Sequence, residues 1–222
     1  MPVNILNNKI SYFPVPKTAC TSIKYLFYYV ENGKDFEMTE VNGEVQHIHN
    51  SMYPTEYFQV VDQKALVGST RIAVIRDPVA RMLSAFSNRV GFHKELSEDR
   101  IDMEMARKLE VHPNPSPDHF FNNIEKFRAL SPSIKHHTDM TSAFLGYDLS
   151  YYHKIYTINE LDELVDFLQG ETGMDLKMGR EQTGGAKLAF SDLLPRARKN
   201  LLQYCYGDYA LMRGYYLPPK VY

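Results

Sequence analysis

What this chain of 222 residues lacks narrows its function before any motif is read. It has no excess charge: 25 Lys and Arg stand against 27 Asp and Glu, a formal −2, so no global basic field gathers nucleic acid or an anionic membrane. Any anion site must therefore be local. No apolar run reaches membrane-spanning length, and the start MPVNILNNKISYF lacks the basic opening, long apolar stretch and small-residue cleavage site of a signal peptide. The expectation is a cytoplasmic protein with no membrane span. Cysteine is almost absent: Cys20 and Cys205 have no metal-ligand spacing and are expected to be free thiols. Internal repeats and low-complexity tracts are missing as well. The 44% of hydrophobic residues suffice for one core, so residues 1–222 are expected to form a single domain.

What is present alternates between strand and helix. KISYFP at Lys9 to Pro14 predicts a strand, followed by a Pro-containing loop and an amphipathic helix over Thr21 to Val30. RIAVIR at Arg71 to Arg76 is a continuous apolar run suited to a strand covered on both faces, and Asp77-Pro78 then opens a helix through Arg89. KIYTI at Lys154 to Ile158 predicts a third strand, with Asn159 capping a helix over Glu160 to Gln169. The segment from Gly91 to Leu109 is strongly charged and predicts a solvated helix; Asp118 is expected to cap a helix reaching Leu130, and Ser191 to begin one through Tyr206. The pattern is that of an α/β protein with a P-loop-like central parallel β-sheet flanked by α-helices, whose ligands bind at the carboxyl ends of the strands.

Two such ends carry chemistry. In FPVPKTACTSIKYL, from Phe13 to Leu26, a strand gives way to a helix through a loop of hydroxyls and one lysine. Backbone N–H groups at a helix N-terminus and the positive end of its dipole favour an anion; Thr18, Thr21 and Ser22 add hydroxyl donors and Lys17 a charge. The competing explanation is that Thr21 and Ser22 only cap the helix and Lys17 is a solvated surface residue. The loop has no glycine and its lysine precedes the hydroxyl pair, so the GxxxxGK pattern of nucleoside triphosphatases is missing and a kinase-like phosphotransferase is disfavoured. The second end is RDPVARMLSAF at Arg76 to Phe86. Arg76 offers a planar fork of donors for a phosphate, and Ser84 lies two turns into the next helix. Asp77 and Pro78 are explained as cap and first turn.

The pair of motifs resembles the signatures of the 3′-phosphoadenosine 5′-phosphosulfate (PAPS)-dependent sulfotransferases, particularly the carbohydrate sulfotransferase group and its soluble bacterial relatives. Their signatures read PKxxxTS and RDPxxRxxSxF; this chain has PKTACTS at Pro16 to Ser22 and the RDP element at Arg76, in the same order. The resemblance implies a sulfotransferase fold in which Lys17, Thr18, Ala19, Cys20, Thr21 and Ser22 hold the 5′-phosphosulfate, and Arg76 and Ser84 the 3′-phosphate. It leaves Arg81 to ligand, helix packing or a salt bridge. Many relatives have a glycine pair where this chain has Ala19 and Cys20. GREQTGGAKL at Gly179 to Leu188 resembles the loop that closes on the nucleotide, which makes Arg180, Thr183 and Lys187 candidates for phosphate contact; the alternative is a Gly-Gly turn with exposed charges.

Sulfuryl transfer needs a base for the acceptor hydroxyl, and histidine is best tuned near neutral pH. GEVQHIHNSMYP supplies Glu44, His47 and His49; in an extended conformation the two histidines share a side. Uronyl 2-O-sulfotransferases carry a similar His-x-His whose second histidine is the base, which implies His49, with His47 next and Glu44 as the carboxylate alternative. Two histidines without further local ligands do not make a zinc site, so no metal is expected. His136 and His137 form a second, acceptor-side candidate. The implied reaction moves a sulfuryl group from PAPS, releasing 3′-phosphoadenosine 5′-phosphate (PAP), to a hydroxyl acceptor, an oligosaccharide or polysaccharide by resemblance, with Tyr53, Tyr57, Tyr151 and Tyr152 available to stack on sugars. A non-catalytic PAP- or glycan-binding module is the remaining alternative.

Overall fold

The computed structural model describes residues 2–179 and 184–220. Along the chain, β1 (Val3–Ile5) and β2 (Ile10–Phe13) precede helix α1 (Cys20–Asn32). A small hairpin of β3 (Thr39–Val41) and β4 (Glu44–Gln46) leads to the one-turn α2 (Ile48–Ser51), and β5 (Thr70–Ile75) to α3 (Pro78–Ala85). Short helices α4 (Met103–Lys108), α5 (Pro117–Asn122), α6 (Ile124–Leu130), α7 (Pro132–Thr138) and α8 (Thr141–Leu145) follow. Strand β6 (Lys154–Thr157), α9 (Leu161–Thr172) and the long α10 (Pro195–Leu211) complete the order. The contacts fall into two compact units, one of Met1–Arg76 with Thr141–Thr183, the other of Asp77–Met140 with Gly184–Tyr222.

The first unit holds a four-stranded sheet in the order β1-β2-β5-β6. Strands β2, β5 and β6 run parallel, with Phe13 opposite Ala73 and Ile75 opposite Thr157, so all three end on one side. The expected parallel sheet is present; β1 adds an antiparallel edge paired to β2, with Ile5 opposite Ile10. Parallel strands must be joined by crossovers, and the helices α1 and α9 supply apolar faces for burial. Ile23, Leu26, Phe27 and Val30 of α1 and Leu164, Val165 and Leu168 of α9 share one core with Tyr12, Ile72 and Val74 of the strands. The RIAVIR run is covered on both faces, since Ile72 to Ile75 are fully buried.

Details at the helix starts differ from the sequence expectation. The α9 N-cap is Glu160, not Asn159, and the Glu160 carboxylate turns back to accept from the Thr157 N–H at 2.6 Å. That bond turns the carboxylate toward the end of β6, and no side chain caps α9. Three of the four tyrosines considered for sugar stacking make aromatic contacts, Tyr151 and Tyr152 meeting Phe13 edge-on and Tyr57 stacking on Phe144, while Tyr53 packs against the sheet core. Tyr152 is buried and donates to the Leu145 carbonyl at 2.9 Å.

The second unit is helical. Asp77 caps α3 by accepting from the Ala80 N–H at 2.8 Å, and Pro78 occupies the first turn, as the RDP motif predicts. The helix does not run on regularly to Arg89; a π-helical stretch, Phe86–Phe92, widens it. The expected solvated helix from Gly91 to Leu109 is replaced by turns and the short α4, because Leu96, Ile101 and Ala106 are buried in this unit's core. Burial of apolar side chains outweighs charge pattern there. Ser116, not Asp118, caps α5, and Asn123 breaks the run before α6; the Asp118 carboxylate instead accepts from the Leu194 N–H. The last helix begins at Pro195 rather than Ser191, Pro being suited to a first turn.

Candidate functional site

The loop between β2 and α1 is wound by two left-handed residues, Lys17 at φ 68° and Ala19 at φ 59°. Left-handed backbone costs a non-glycine residue about 1 kcal/mol, and alternation of this kind turns successive N–H groups into one concavity, an anion nest. Ala19 is the N-cap of α1, and no side chain caps the helix. Thr21 and Ser22 sit inside the first turn, so the simple capping explanation for them does not hold. Thr18 is fully buried and its hydroxyl donates to the Val15 carbonyl at 2.9 Å, closing the loop on itself. Its backbone remains part of the nest, and its side chain serves the turn.

Arg76 follows β5, the neighbour of β2, and its Nη1 donates to the Lys17 carbonyl at 3.1 Å. The two motifs, 59 residues apart, thus meet at the carboxyl ends of adjacent parallel strands. A guanidinium has five N–H donors in a planar fork, and one of them braces the loop here. Ser84 lies half-buried on α3, in the second unit. Arg81 of the same motif is fully buried there and is spoken for: it donates to the Asp139 carbonyl at 2.5 Å and ion-pairs with Asp208 at 3.3 Å. Of the roles open to Arg81, the structure gives it helix packing and a salt bridge.

The His-x-His segment is not extended. His47 is the N-cap of α2 and His49 lies within that turn, yet the two rings still stack, 5.1 Å apart and 8° from parallel. His49 faces α1: its Nε2 lies 2.8 Å from the Thr21 hydroxyl and its Nδ1 2.8 Å from Lys24 Nζ. Lys24, fully buried on α1, also donates to the Thr55 hydroxyl at 2.6 Å. Burial pulls its ammonium down to about 8, only partly offset by the Cys20 thiol. Glu44 stands exposed on β4.

Beside the nest lies a cavity of about 600 Å³ whose walls include Ala19, Ser22, Ile158, Asn159, Lys177 and Gly179, a size suited to a nucleoside. A neighbouring hollow of about 510 Å³ shares Ser22 and Lys177 and adds Tyr25, Phe36 and Asp175. In the second unit, Lys187 is exposed, and Gly185 at φ 104° packs so closely that a Cβ would stand 2.4 Å from the Ser87 carbonyl oxygen. Arg180 and Thr183 lie outside the described residues. His137 is held at 2.8 Å by the Ser133 carbonyl one turn earlier. Cys20 and Cys205 are free and buried, as expected. Among the described residues no group of three or more His, Cys, Asp or Glu is placed to hold a metal ion, and no helix is long and apolar enough to cross a membrane.

Lys24, Thr55 and Lys177 were not singled out by motif. Lys24 carried a signal nonetheless: it shares the i, i+4, i+7 stripe of Cys20 and Phe27, a buried helix face on which lysine is rare unless partnered. Comparison with known proteins adds one match. The model described as the sulfotransferase family covers residues 6–213, both motifs and both units included. No curated protein and no solved structure matches the chain.

Proposed function

The chain belongs to the sulfotransferase family, and we propose that it transfers the sulfuryl group of PAPS to a hydroxyl of a carbohydrate acceptor by direct in-line displacement. The observation that carries this reading is the Arg76 to Lys17 hydrogen bond, which couples an anion nest to an arginine fork at neighbouring strand ends. A nucleotide phosphorylated at both 5′ and 3′ positions presents two anions a ribose apart, and paired grips of this kind suit it.

In the proposed complex the nest N–H groups from Lys17 to Ser22 and the Lys17 ammonium hold the 5′-phosphosulfate, and the cavity beside Asn159 takes the nucleoside. Arg76 takes the 3′-phosphate; Ser84, which the motif pairs with it, and Lys187 and Arg180 of the later loop are proposed as further phosphate contacts. The acceptor oxygen forms its bond to sulfur as the bond from sulfur to the bridging 5′-phosphate oxygen breaks. Charge accumulates on that leaving phosphate, where Lys17 and the nest stabilise it. The acceptor proton goes to His49, whose Nε2 stands at the Thr21 hydroxyl within the cradle; His47, stacked upon it, supports the ring. A cytoplasmic setting is part of the proposal, supported by two thiols that stay unpaired.

Labelled-sulfate transfer from PAPS to a panel of glycans, phenols and lipids tests the reading. Glycan labelling that Lys17→Ala reduces by about a hundredfold or more, with PAP affinity changed far less, is expected. Labelling of phenols or lipids alone overturns the carbohydrate assignment, and no transfer to any acceptor by a protein that binds PAP makes it a binding module.

A further inference from the structure

The contacts of Lys24 bear on how His49 can act as a base at all. Lys24 is completely buried, and its Nζ reaches one side-chain nitrogen and one hydroxyl, His49 Nδ1 and Thr55 Oγ1. Among the described residues no carboxylate ion-pairs with it. Among the described residues, the titratable groups facing it include His49 from α2, itself stacked on His47, and the Cys20 thiol one turn earlier on α1. From the sheet beneath, the Tyr12 phenol faces Cys20.

The protonation state of Lys24 limits what this pair can do. An ammonium has three donors and no lone pair, so a charged Lys24 must face a bare Nδ1. The neutral imidazole then carries its proton on Nε2 and donates to Thr21, and it has no basic nitrogen left on the side of the cradle. A neutral amine has a lone pair beside its two N–H groups and so can also accept: Nδ1–H then donates to Nζ, and Nε2 becomes the basic nitrogen beside Thr21. A doubly charged pair across 2.8 Å inside the protein is excluded by repulsion.

We propose that Lys24 and His49 form a proton relay in which the neutral Lys24 amine holds the Nδ1 proton, His49 Nε2 takes the proton of the incoming hydroxyl, and Lys24 ends the step as the ammonium. The balance closes on the two residues. The acceptor O–H bond breaks and an Nε2–H bond forms; the Nδ1–H bond breaks and an Nζ–H bond forms; the imidazole begins and ends neutral. Lys24 is thus a positioning residue that selects the tautomer of His49 and stores the proton. The catalytic half of the proposal rests on the sulfuryl-transfer reading; the tautomer half does not. The depressed ammonium, near 8, gives the neutral amine a working population close to neutral pH, which an ordinary lysine lacks.

Two readouts on the full chain test it. Single-turnover transfer from PAPS between pH 6 and 9.5 should rise about tenfold per pH unit and level off near 8. Lys24→Gln, whose carbonyl can accept Nδ1–H but cannot take up the proton, should hold the Nδ1–H tautomer at every pH and lose both that limb and most of the transfer, whereas Lys24→Met should lose transfer and the tautomer preference as well. Separately, nitrogen-15 NMR of labelled histidine should show His49 passing from the Nε2–H to the Nδ1–H tautomer across the same range in the wild type. Should the tautomer switch occur without any transfer, the tautomer half stands and the sulfuryl-transfer reading fails with the catalytic half. Superimposed pH profiles of wild type and Lys24→Gln, or a His49 tautomer unchanged to pH 9.5, overturn the relay; if the variant does not fold, the wild-type spectrum alone decides.

Discussion

Arg76 donates from Nη1 to the carbonyl oxygen of Lys17 at 3.1 Å, so the guanidinium that ends one parallel strand braces the loop that ends its neighbour. One side chain thereby shapes the anion nest, and the proposed site gives the same guanidinium the 3′-phosphate. Arg76→Ala should weaken PAP binding by about tenfold to a hundredfold, the worth of charge-assisted hydrogen bonds to a phosphate. It should also erase the preference for PAP over adenosine 5′-monophosphate, measured by calorimetry. Arg76→Lys should restore charge and little of the preference, because an ammonium cannot bridge carbonyl and phosphate in one plane.

Ala19 holds a backbone conformation that glycine adopts at no steric cost, φ 59° at the entry to α1. Ala19→Gly should therefore relieve strain, offset in part by glycine's greater freedom in the unfolded chain. The net expectation is a gain within about 1 kcal/mol in urea unfolding, with PAP affinity retained. A loss of more than about 1 kcal/mol would mean that the alanine methyl packs usefully, contrary to the account of the nest given above.

Much of this was legible in the chain itself. RIAVIR announces a buried strand because nothing polar interrupts it, and PKTACTS announces a phosphate loop because its hydroxyls stand where strand turns to helix. The β1 edge was not legible: its turn at Leu6, Asn7 and Asn8 is left-handed at three successive residues, φ 53°, 54° and 66°, and no glycine marks it. The His-x-His segment misled for a related reason. Alternation of polar and apolar residues over so few positions fits a strand as well as one helical turn, and the capping of α2 by the His47 ring decided for the turn. The stripe of α1 marks Lys24 as buried, but its partners were hidden because they come from residues 25 and 31 positions later, contacts that no local pattern encodes.

Arg81 and Asp208 form an ion pair with side chains 0% and 2% exposed, which makes each dependent on the other. Removing one partner leaves a buried charge, so Asp208→Ala should cost about 3–5 kcal/mol in urea unfolding. The paired replacement Arg81→Met with Asp208→Leu should cost less than either single change, since both desolvation penalties leave together. Equal or larger loss in the double variant would place the value of Arg81 in its bond to the Asp139 carbonyl instead.

Burial raises the phenols of Tyr12, Tyr152, Tyr204 and Tyr209 well above their ordinary value and that of Tyr156 to about 12. A folded-state value above the unfolded one of about 10 means that the unfolded chain loses its protons first. The stability from these groups is complete below pH 10 and is lost as pH rises toward the folded values. Thermal scans should show Tm falling between pH 10 and 12, and the tyrosinate absorbance of these residues should appear together with unfolding. Ionisation of these five phenols in a still-folded chain at pH 10 would contradict the burial assigned to them.

The central claim is that two anion grips at neighbouring strand ends serve one doubly phosphorylated nucleotide, and calorimetric titration with PAP in the presence of EDTA tests it most directly. The account predicts saturable one-to-one binding without magnesium, weakened by both Lys17→Ala and Arg76→Ala. Tight magnesium-dependent ATP binding with no measurable affinity for PAP would contradict it.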